Sequence, residues 1–256
     1  MRTGMAARGY ELYGSIAVIE SEPAAAKAMA RRLMSNNKNV KTVLRKGGAI
    51  SGRYRTRKYV YVAGEKNYLV NYRENGCLFV FDIRKVYFST KLAYERKRVS
   101  DAAKDNEQVI VMFAGVGPYA IEIAKAHKRS RVVAIEINAA ACGYAEENAR
   151  LNKTPNVKVE KGNVSSFTSK YAKFADRIVM PLPMSSSRFL SDALKMCSKK
   201  CTIHYYTFCR ASETGKTITE LTQHIRAKGR KPRILEHRVV RPYSATDIEL
   251  VVDVSV

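Results

Sequence analysis

The chain has 256 residues, 46% of them hydrophobic, which is enough to bury the core of one large domain or two small ones. Lys and Arg number 46 against 23 Asp and Glu, and this formal charge of +23 favours a nucleic-acid partner because basic side chains replace the counterions of a phosphate backbone. The lack of an apolar run near roughly 18 residues, of a signal-peptide core and of paired metal-ligand cysteines excludes the membrane, secreted and zinc-site classes, and predicts a cytoplasmic protein with reduced thiols.

The first part of the chain predicts a small α+β domain at residues 11–88, after a disordered start at 1–10. Its expected elements are a strand at 14–20, a helix at 22–35 and further strands at 40–44, 59–63, 68–72 and 77–82. The glycine- and arginine-rich segment 46–58 is expected to be flexible. Asn75-Gly76 is the residue pair that favours a tight β-hairpin between the last two strands.

Residues 89–256 predict an α/β domain with a doubly wound parallel sheet, because apolar strands alternate with helices. A charged helix at 91–103 precedes it. Strands are expected at 109–113, 131–136, 156–160, 177–180, 202–208, 233–240 and 246–255, and helices at 118–127, 139–151, 187–198 and 214–228. Only Arg241–Ser244 separates the last two strands, so they should form an antiparallel hairpin at one edge. A parallel sheet closed in this way is typical of methyltransferases that use S-adenosylmethionine.

A buried strand, a glycine turn and a helix at 109–124 predict a nucleotide-type cofactor site. Gly115 and Gly117 let the backbone turn tightly and approach a ligand closely. Glu136 ends the next apolar strand, 21 residues after Gly115 (136 − 115), where a carboxylate can accept hydrogen bonds from both ribose hydroxyls. The pattern from Gly115 to Ala120 also fits an NAD site, so the motif by itself leaves a dinucleotide open.

Nine short motifs are spread over most of the chain. They are Val60–Ala63, Glu74–Cys77, Lys85–Ser89, Glu95–Arg98, Met112–Pro118, Ile135–Asn138, Met180–Pro183, Ile203–Tyr206 and Arg238–Ser244. Jointly they resemble the archaeal and eukaryotic tRNA (guanosine-37 N1)-methyltransferase family, in a short form without the extra N-terminal domain of longer members. The resemblance implies a class I methyltransferase Rossmann-like fold, S-adenosylmethionine as the cofactor and the anticodon loop of tRNA as the partner. The oligomeric state stays open, with a monomer favoured.

The resemblance also implies roles for individual residues. N1 of guanine keeps its proton at neutral pH, so its methylation needs a base for that proton and a donor for charge on O6. Glu95 is the implied base and Arg55 the implied O6-stabilising guanidinium. The implied cofactor residues are Phe113, Ala114, Gly115, Gly117, Glu136, Ile137, Asn163 and Pro181. The implied RNA contacts are Arg53, Arg57, Tyr87, Lys91, Arg96 and Arg241, with a core position as the alternative for Tyr87.

Three residues depart from the family pattern. Val111 and Asn163 stand where the family has Asp, and Pro181 replaces the Asn of an Asn-Leu-Pro motif. An Asn oxygen can still accept a hydrogen bond, whereas proline offers neither a side-chain donor nor an N–H. Two alternatives therefore stay open: aminocarboxypropyl transfer to a wyosine-type base at the same tRNA position, and a catalytically weak tRNA-binding relative. His204, inside a predicted strand, is expected to be a hydrogen-bonded core histidine.

Overall fold

The computed structural model describes residues 9–256 and divides the chain into two compact units, Met1–Ala93 and Tyr94–Val256. The predicted disorder of residues 1–10 falls mostly on residues 1–8, which lie outside the described residues, and Tyr10 already begins a strand. The elements of the first unit are β1 (Tyr10–Tyr13), β2 (Ile16–Ile19), α1 (Pro23–Asn36), β3 (Thr42–Lys46), β4 (Tyr59–Gly64), β5 (Leu69–Glu74) and β6 (Cys77–Asp82).

The first unit contains a four-stranded sheet in the order β1-β2-β3-β4 and a separate β5–β6 hairpin. Helix α1 buries Ala30 and Leu33 in an apolar cluster with Ile19 of β2. This pairing follows from the apolar stripe of the helix, since residues three and four apart share one face. Asn75 and Gly76 have φ angles of 47° and 75°, as a two-residue hairpin turn of the primed type requires, so the predicted hairpin is confirmed.

The segment 46–58, expected to be flexible, is closed as an extension of the β3–β4 hairpin. The Gly47 N–H donates to the Lys58 carbonyl at 2.8 Å, and the Ser51 N–H donates to the Thr56 carbonyl at 3.0 Å. These bonds give the arginine-rich loop a defined backbone path. The predicted flexibility of the segment stays a prediction; glycine content alone does not show which backbone groups find partners, and here two N–H groups do.

The second unit is built on a seven-stranded sheet. Its strands are β7 (Gln108–Met112), β8 (Arg131–Glu136), β9 (Val157–Lys161), β10 (Ala175–Met180), β11 (Cys197–Arg210), β12 (Arg233–Pro242) and β13 (Asp247–Ser255). The helices are α2 (Ala93–Ala102), α3 (Pro118–Ala126), α4 (Ala139–Leu151), α5 (Ser186–Met196) and α6 (Thr214–Ala227). In the described part of the chain, no helix combines the length and apolar character that crossing a membrane requires.

The strands of this sheet lie in the order β12-β13-β11-β10-β7-β8-β9. From β7 the chain first proceeds outward through β8 and β9 and then returns to β10 on the other side, so the direction of winding changes between β7 and β10. Ligands bind outside the carboxyl ends of the strands at such a switch point. The predicted closing hairpin is confirmed, and β13 is inserted between β11 and β12, antiparallel to both.

Alternate residues of β7 supply an apolar core to each face of the sheet. Ile110 and Met112 belong to the cluster that includes residues of α5 and α6. Val109 and Val111 belong to the cluster on the other face, which includes residues of α2 and α3. The unbroken apolar run of this strand is therefore explained by its burial on both faces.

Gly64 gives a direct test of the first unit. Its φ is +85°, and a Cβ added there would lie 2.1 Å from the Lys41 carbonyl oxygen. Gly64→Ala should therefore lower the free energy of unfolding by about 3 kcal/mol, because both the backbone strain and the clash must be relieved. The control is Gly76→Ala, where φ is +75° and the added Cβ meets open space, so only about 1 kcal/mol of backbone strain is expected. Denaturant unfolding measures both losses, and equal losses would contradict the steric cause.

Candidate active site

Four neighbouring strands of the large sheet end at one edge, and the predicted cofactor residues follow these ends. The segment 113–117 follows β7, and Glu136 closes β8. Asn163 comes two residues after β9, and Pro181 directly follows β10. The structure thus brings the predicted cofactor residues to the edge where open α/β sheets bind their ligands.

The turn after β7 has a backbone that allows close approach of a ligand. Phe113, Gly115 and Gly117 have φ angles of 56°, 57° and 87°, all in the left-handed region. Phe113 is a non-glycine residue there, at a cost on the order of 1 kcal/mol, and its ring packs edge-on against Phe189 with centroids 4.9 Å apart. A Cβ at Gly117 would lie 3.0 Å from the Ile121 side chain, so this turn depends on glycine.

Glu136 connects the turns that follow β7 and β8. Its Oε2 accepts the Gly115 N–H at 2.8 Å, and its Oε1 accepts those of Ile137 at 2.8 Å and Asn138 at 2.7 Å. Within residues 9–256, Oε2 receives this one backbone donor, which leaves a lone pair for a hydroxyl group. The Asn163 side-chain oxygen accepts the Ser165 N–H at 3.3 Å and likewise keeps a second lone pair. These donors and acceptors fit the ribose and base of a nucleoside cofactor.

The two other departures from the family pattern differ in their surroundings. Val111 is fully buried in the apolar cluster that contains Tyr119 and Tyr206, so this position contributes packing. Strand β7 ends one residue later, at Met112. Pro181, at the end of β10, offers no hydrogen-bond donor to a ligand.

Glu95 is a buried carboxylate in the first turn of α2, with 3% of its surface exposed. The Arg98 guanidinium donates to both its oxygens, from Nη2 to Oε1 at 2.8 Å and from Nε to Oε2 at 3.1 Å. The Tyr206 hydroxyl donates to Oε1 at 2.5 Å. Arg238 Nη1 lies 4.0 Å from Oε2. Oε1 is therefore the more heavily bonded oxygen, and Oε2 is the oxygen with greater remaining capacity to accept a proton.

The Glu95–Arg98 pair continues into a buried chain of polar groups. Arg98 Nη1 donates to Asp253 Oδ2 at 2.5 Å, and His204 Nδ1 lies 2.7 Å from Asp253 Oδ1. Arg177 Nη1 lies 2.7 Å from His204 Nε2, and Arg177 is itself paired with Glu107. Because an arginine can only donate, His204 accepts at Nε2 and donates from Nδ1 to Asp253. The predicted core position of His204 is confirmed.

The ionisation states in this chain have identifiable causes. Burial lowers the pKa of His204 below its usual value, although the nearby Asp253 carboxylate acts in the opposite direction. The imidazole is therefore neutral. Burial alone would raise the pKa of Asp253, but hydrogen bonds from His204 and Arg98 outweigh it and lower that pKa to about 2. The carboxylate of Asp253 is therefore ionised and tightly held at neutral pH.

In the first unit the structure brings two predicted site residues together. The Arg55 guanidinium lies over the Tyr87 ring, 4.7 Å from its centroid, and both side chains are half-buried. The φ of Arg55 is 53°, an uncommon value that marks a constrained position. Arg57 is half-buried, whereas Arg53 and Lys91 are exposed and accessible to a phosphate.

The two predicted RNA contacts of the second unit have different environments. Arg96 is 2% exposed, and its Nε lies 3.7 Å from Glu122 Oε1. The predicted phosphate contact of Arg96 is corrected to an internal ion pair, because its guanidinium has almost no accessible surface. Arg241 Nε lies 2.5 Å from Glu249 Oε2, and its side chain keeps 26% of its surface.

The sequence reasoning missed the residues that hold Glu95. Arg98 stands three positions after Glu95, a spacing that places two side chains on one helix face. That spacing was the available signal. Asp253 lies 155 positions from Arg98, and no local pattern connects the two.

The sheet order, the inserted closing hairpin and the cofactor edge define a class I methyltransferase fold. The family description "TRM5/TYW2 methyltransferase domain" matches residues 70–233, and "TYW2 N-terminal domain" matches residues 3–67. The chain belongs to the TRM5/TYW2 methyltransferase family. The predicted fold class, family resemblance and methyltransferase activity class are confirmed.

Named relatives refine this assignment. The chain is 38% identical over 248 residues to the tRNA (guanine(37)-N(1))-methyltransferase Trm5b of Pyrococcus abyssi, over 95% of this chain and 73% of that protein. It is 35% identical over 202 residues to the tRNA 4-demethylwyosine(37)-methyltransferase Taw21 of Saccharolobus solfataricus, over 77% of this chain and 76% of that protein.

Solved structures agree with the sequence comparison. The crystal structure of P. abyssi Trm5b has a TM-score of 0.86 at 37% identity, over 96% of this chain and 74% of that one. The structure of Methanocaldococcus jannaschii TYW2 in complex with AdoMet has a TM-score of 0.77 at 25% identity, over 96% of this chain and 98% of that one. The latter contains S-adenosylmethionine, the cofactor that the sequence predicts here.

Replacing Glu136 tests the cofactor edge. Glu136→Gln keeps the shape of the side chain but replaces one carboxylate oxygen, an acceptor, with an NH₂ group. This donor would then face a backbone N–H. We expect the affinity for S-adenosylmethionine, measured by calorimetry, to fall about 10- to 100-fold, the size of one or two charged hydrogen bonds. The control is Glu146→Gln on the exposed face of the following helix, which should bind normally. Unchanged affinity in Glu136→Gln would contradict the assignment.

Asp253 should make stability depend on acid pH. Its folded pKa of about 2 lies below the usual 3.8, so its stabilisation is complete above the unfolded pKa. That contribution should disappear as the pH falls from about 5 towards 2. The melting temperature of Asp253→Asn should therefore lie furthest below that of the wild type at pH 7, and the gap should narrow below about pH 4. Asp105→Asn, which breaks an exposed pair with Arg129, is the control. A gap independent of pH would exclude this linkage.

Proposed function

We propose that this protein transfers the methyl group of S-adenosylmethionine to N1 of guanosine 37 in the anticodon loop of tRNA. The bound cofactor supplies an electrophilic methyl group. The observation that carries the proposal is Glu95, a buried carboxylate whose Oε1 accepts from three donor atoms of Arg98 and Tyr206, whereas Oε2 accepts only from Arg98 Nε among the described residues. The P. abyssi relative, at 38% identity, is named a tRNA (guanine(37)-N(1))-methyltransferase, which supports N1 of guanine as the methylated atom.

Glu95 acts as the general base in this proposal. N1 of guanine becomes nucleophilic only when its proton is removed, and a positioned carboxylate contributes typically 10²- to 10⁴-fold to such a step. Tyr206 and Arg98 prevent the carboxylate from rotating, so the proton is accepted at Oε2. The Glu95 carboxylate is therefore already oriented for proton transfer and needs no rearrangement before the reaction.

Arg55 stabilises the charge that develops on O6 when N1 loses its proton. Its guanidinium is preorganised by the Tyr87 ring, which lies 4.7 Å away, and by the constrained backbone at Arg55 itself. A fixed cation aimed at developing charge is worth more than a mobile one, because it needs no reorganisation during the reaction.

The RNA is held through its phosphates. Arg53 and Lys91 are exposed, and Arg57 and Arg241 retain part of their surface, so each can contact a phosphate oxygen. The formal charge of +23 adds a salt-dependent attraction to any tRNA. Nucleotide 37 must leave the stack of the anticodon loop to present its N1 edge.

Pro181 favours a second candidate substrate. The proline directly after β10 lacks the donor that an asparagine would direct at guanine. The site therefore selects less strongly for an unmodified guanosine. The S. solfataricus relative is named for 4-demethylwyosine at position 37. The second candidate function is therefore methyl or aminocarboxypropyl transfer to a wyosine-type base. The third is tRNA binding with little catalysis.

The test is incubation of tRNA unmodified at position 37 with methyl-labelled S-adenosylmethionine, followed by nucleoside mass spectrometry. We expect 1-methylguanosine. Glu95→Gln should lower the single-turnover rate by about 10²- to 10⁴-fold while tRNA affinity stays within about threefold, because only the base is lost. The control is Glu147→Gln, an exposed acid that pairs with Arg150.

Four results would contradict the proposal. Product only on tRNA that carries 4-demethylwyosine would establish the second substrate, and an aminocarboxypropyl adduct would establish the other transfer. A protein that binds tRNA without binding S-adenosylmethionine would be a non-catalytic relative. A Glu95→Gln variant with the wild-type rate would exclude Glu95 as the base.

A further inference from the structure

We propose that Arg98 is the positioning residue for Glu95, and that Asp253 anchors Arg98 to the central sheet; this rests on the proposed role of Glu95 as general base. Arg98 touches neither cofactor nor substrate in this scheme. It acts through the carboxylate, whose orientation it determines.

The first step in the argument is how Arg98 grips Glu95. The guanidinium uses Nε and Nη2 toward the two carboxylate oxygens, with distances of 2.8 Å to Oε1 and 3.1 Å to Oε2. Such two-point pairing defines the plane of the carboxylate as well as its position. Tyr206 adds a third donor from β11, at 2.5 Å from Oε1. The orientation that leaves Oε2 least occupied is thus imposed by Arg98 and Tyr206 together.

The second step is that Arg98 is itself immobilised. A pair at i and i+3 on an exposed helix is weak, because two long side chains lose their freedom to form it. Arg98 instead reaches Asp253 on β13, with Nη1 at 2.5 Å from Oδ2 and Nη2 at 3.3 Å from Oδ1. Its side chain is 14% exposed. Its carboxylate partners Glu95 and Asp253 are both almost fully buried. Its third acidic neighbour among the described residues, Glu236 at 3.7 Å, is exposed.

The third step is that the contacts continue along the whole of α2. Glu95 meets Tyr206 of β11, Arg98 meets Asp253 of β13, and the Ala102 carbonyl accepts Arg177 Nη2 at 2.7 Å. Tyr206 and Asp253 lie on strands that pair with each other. Three successive turns of the helix are therefore bonded to the same sheet, and the first turn has little freedom to shift.

The fourth step concerns charge. Arg98 faces two carboxylates, Glu95 and Asp253, so its single positive charge is shared between them. His204, on the far side of Asp253, is neutral, and Arg177 beyond it is paired with Glu107. Asp253 therefore holds Arg98 by charge as well as by hydrogen bonds. Removing the Asp253 charge should weaken this hold and let the Arg98 guanidinium move relative to Glu95.

The main experiment is single-turnover methyl transfer by Arg98→Lys, with tRNA and S-adenosylmethionine affinities measured separately. Lysine keeps the charge and loses the two-point grip. We expect the rate to fall about 10- to 100-fold, the effect of a misplaced catalytic group, while both affinities stay within about threefold. The control is Arg150→Lys, the same substitution in the i,i+3 pair with Glu147 on an exposed helix face, which should keep the wild-type rate.

Asp253→Asn supplies a second variant should Arg98→Lys not fold. Its single-turnover rate should fall while the tRNA and S-adenosylmethionine affinities stay within about threefold, because only the orientation of Glu95 changes. A general loss of packing would weaken both affinities together with the rate. An unchanged rate, or tRNA affinity that falls as much as the rate, would overturn the proposal.

One readout is independent of methyl transfer. The Arg98 Nε–H, bonded to Glu95, should give a slowly exchanging ¹H–¹⁵N signal in the intact protein, and its exchange should accelerate at least about tenfold in Asp253→Asn. Equal exchange in both proteins would show that Asp253 does not hold Arg98. If the wild type transfers no methyl group to tRNA, the proposed function fails, and this exchange rate still decides whether Asp253 fixes Arg98.

Discussion

Buried charges must be paired, and this constraint determines how helix α2 lies on the seven-stranded sheet. Arg98, Asp253 and Arg177 are all nearly removed from water, and breaking one partner of such a pair typically costs about 3–5 kcal/mol because the other charge stays buried. The helix can satisfy them in only one register. The orientation of Glu95 in its first turn follows from that register, so the same contacts that stabilise the fold prepare the candidate base.

The cofactor edge and the candidate base depend on the same strands. Tyr205 pairs with Met180, the last residue of β10, and Tyr206 therefore stands at the carboxyl end of the sheet, on the opposite face from Tyr205. Its hydroxyl reaches Glu95, while the turn after β7 and the Glu136 carboxylate follow the neighbouring strand ends. Parallel pairing aligns these ends, and the hydrogen bond from the Gly115 N–H to Glu136 then joins two of the turns that follow them. The proposed methyl transfer thus uses groups that one sheet places at one edge.

Charge has two separate uses in this chain. The surplus that gives +23 lies in exposed residues such as Arg53 and Lys91, which suits a phosphate backbone. Arg96 and Arg98 belong to the same basic stretch of sequence, yet both are internal, one paired with Glu122 and the other shared between Glu95 and Asp253. The number of basic residues therefore indicates a nucleic-acid partner. Only burial distinguishes the basic residues that can contact it from those that lie inside the fold.

The sequence by itself determined the order of the helices and strands from β2 onward, the glycine turn with Glu136, the β5–β6 hairpin and the closing hairpin, whereas β1 was missed. Each of these depends on residues close together in the chain, where periodicity and turn chemistry act directly. Only the tertiary structure decided that segment 46–58 is closed by backbone bonds and that Arg98 meets Asp253 across 155 positions. Such contacts form only when segments far apart in the chain pack together. No local sequence pattern specifies which distant groups will then form hydrogen bonds or ion pairs.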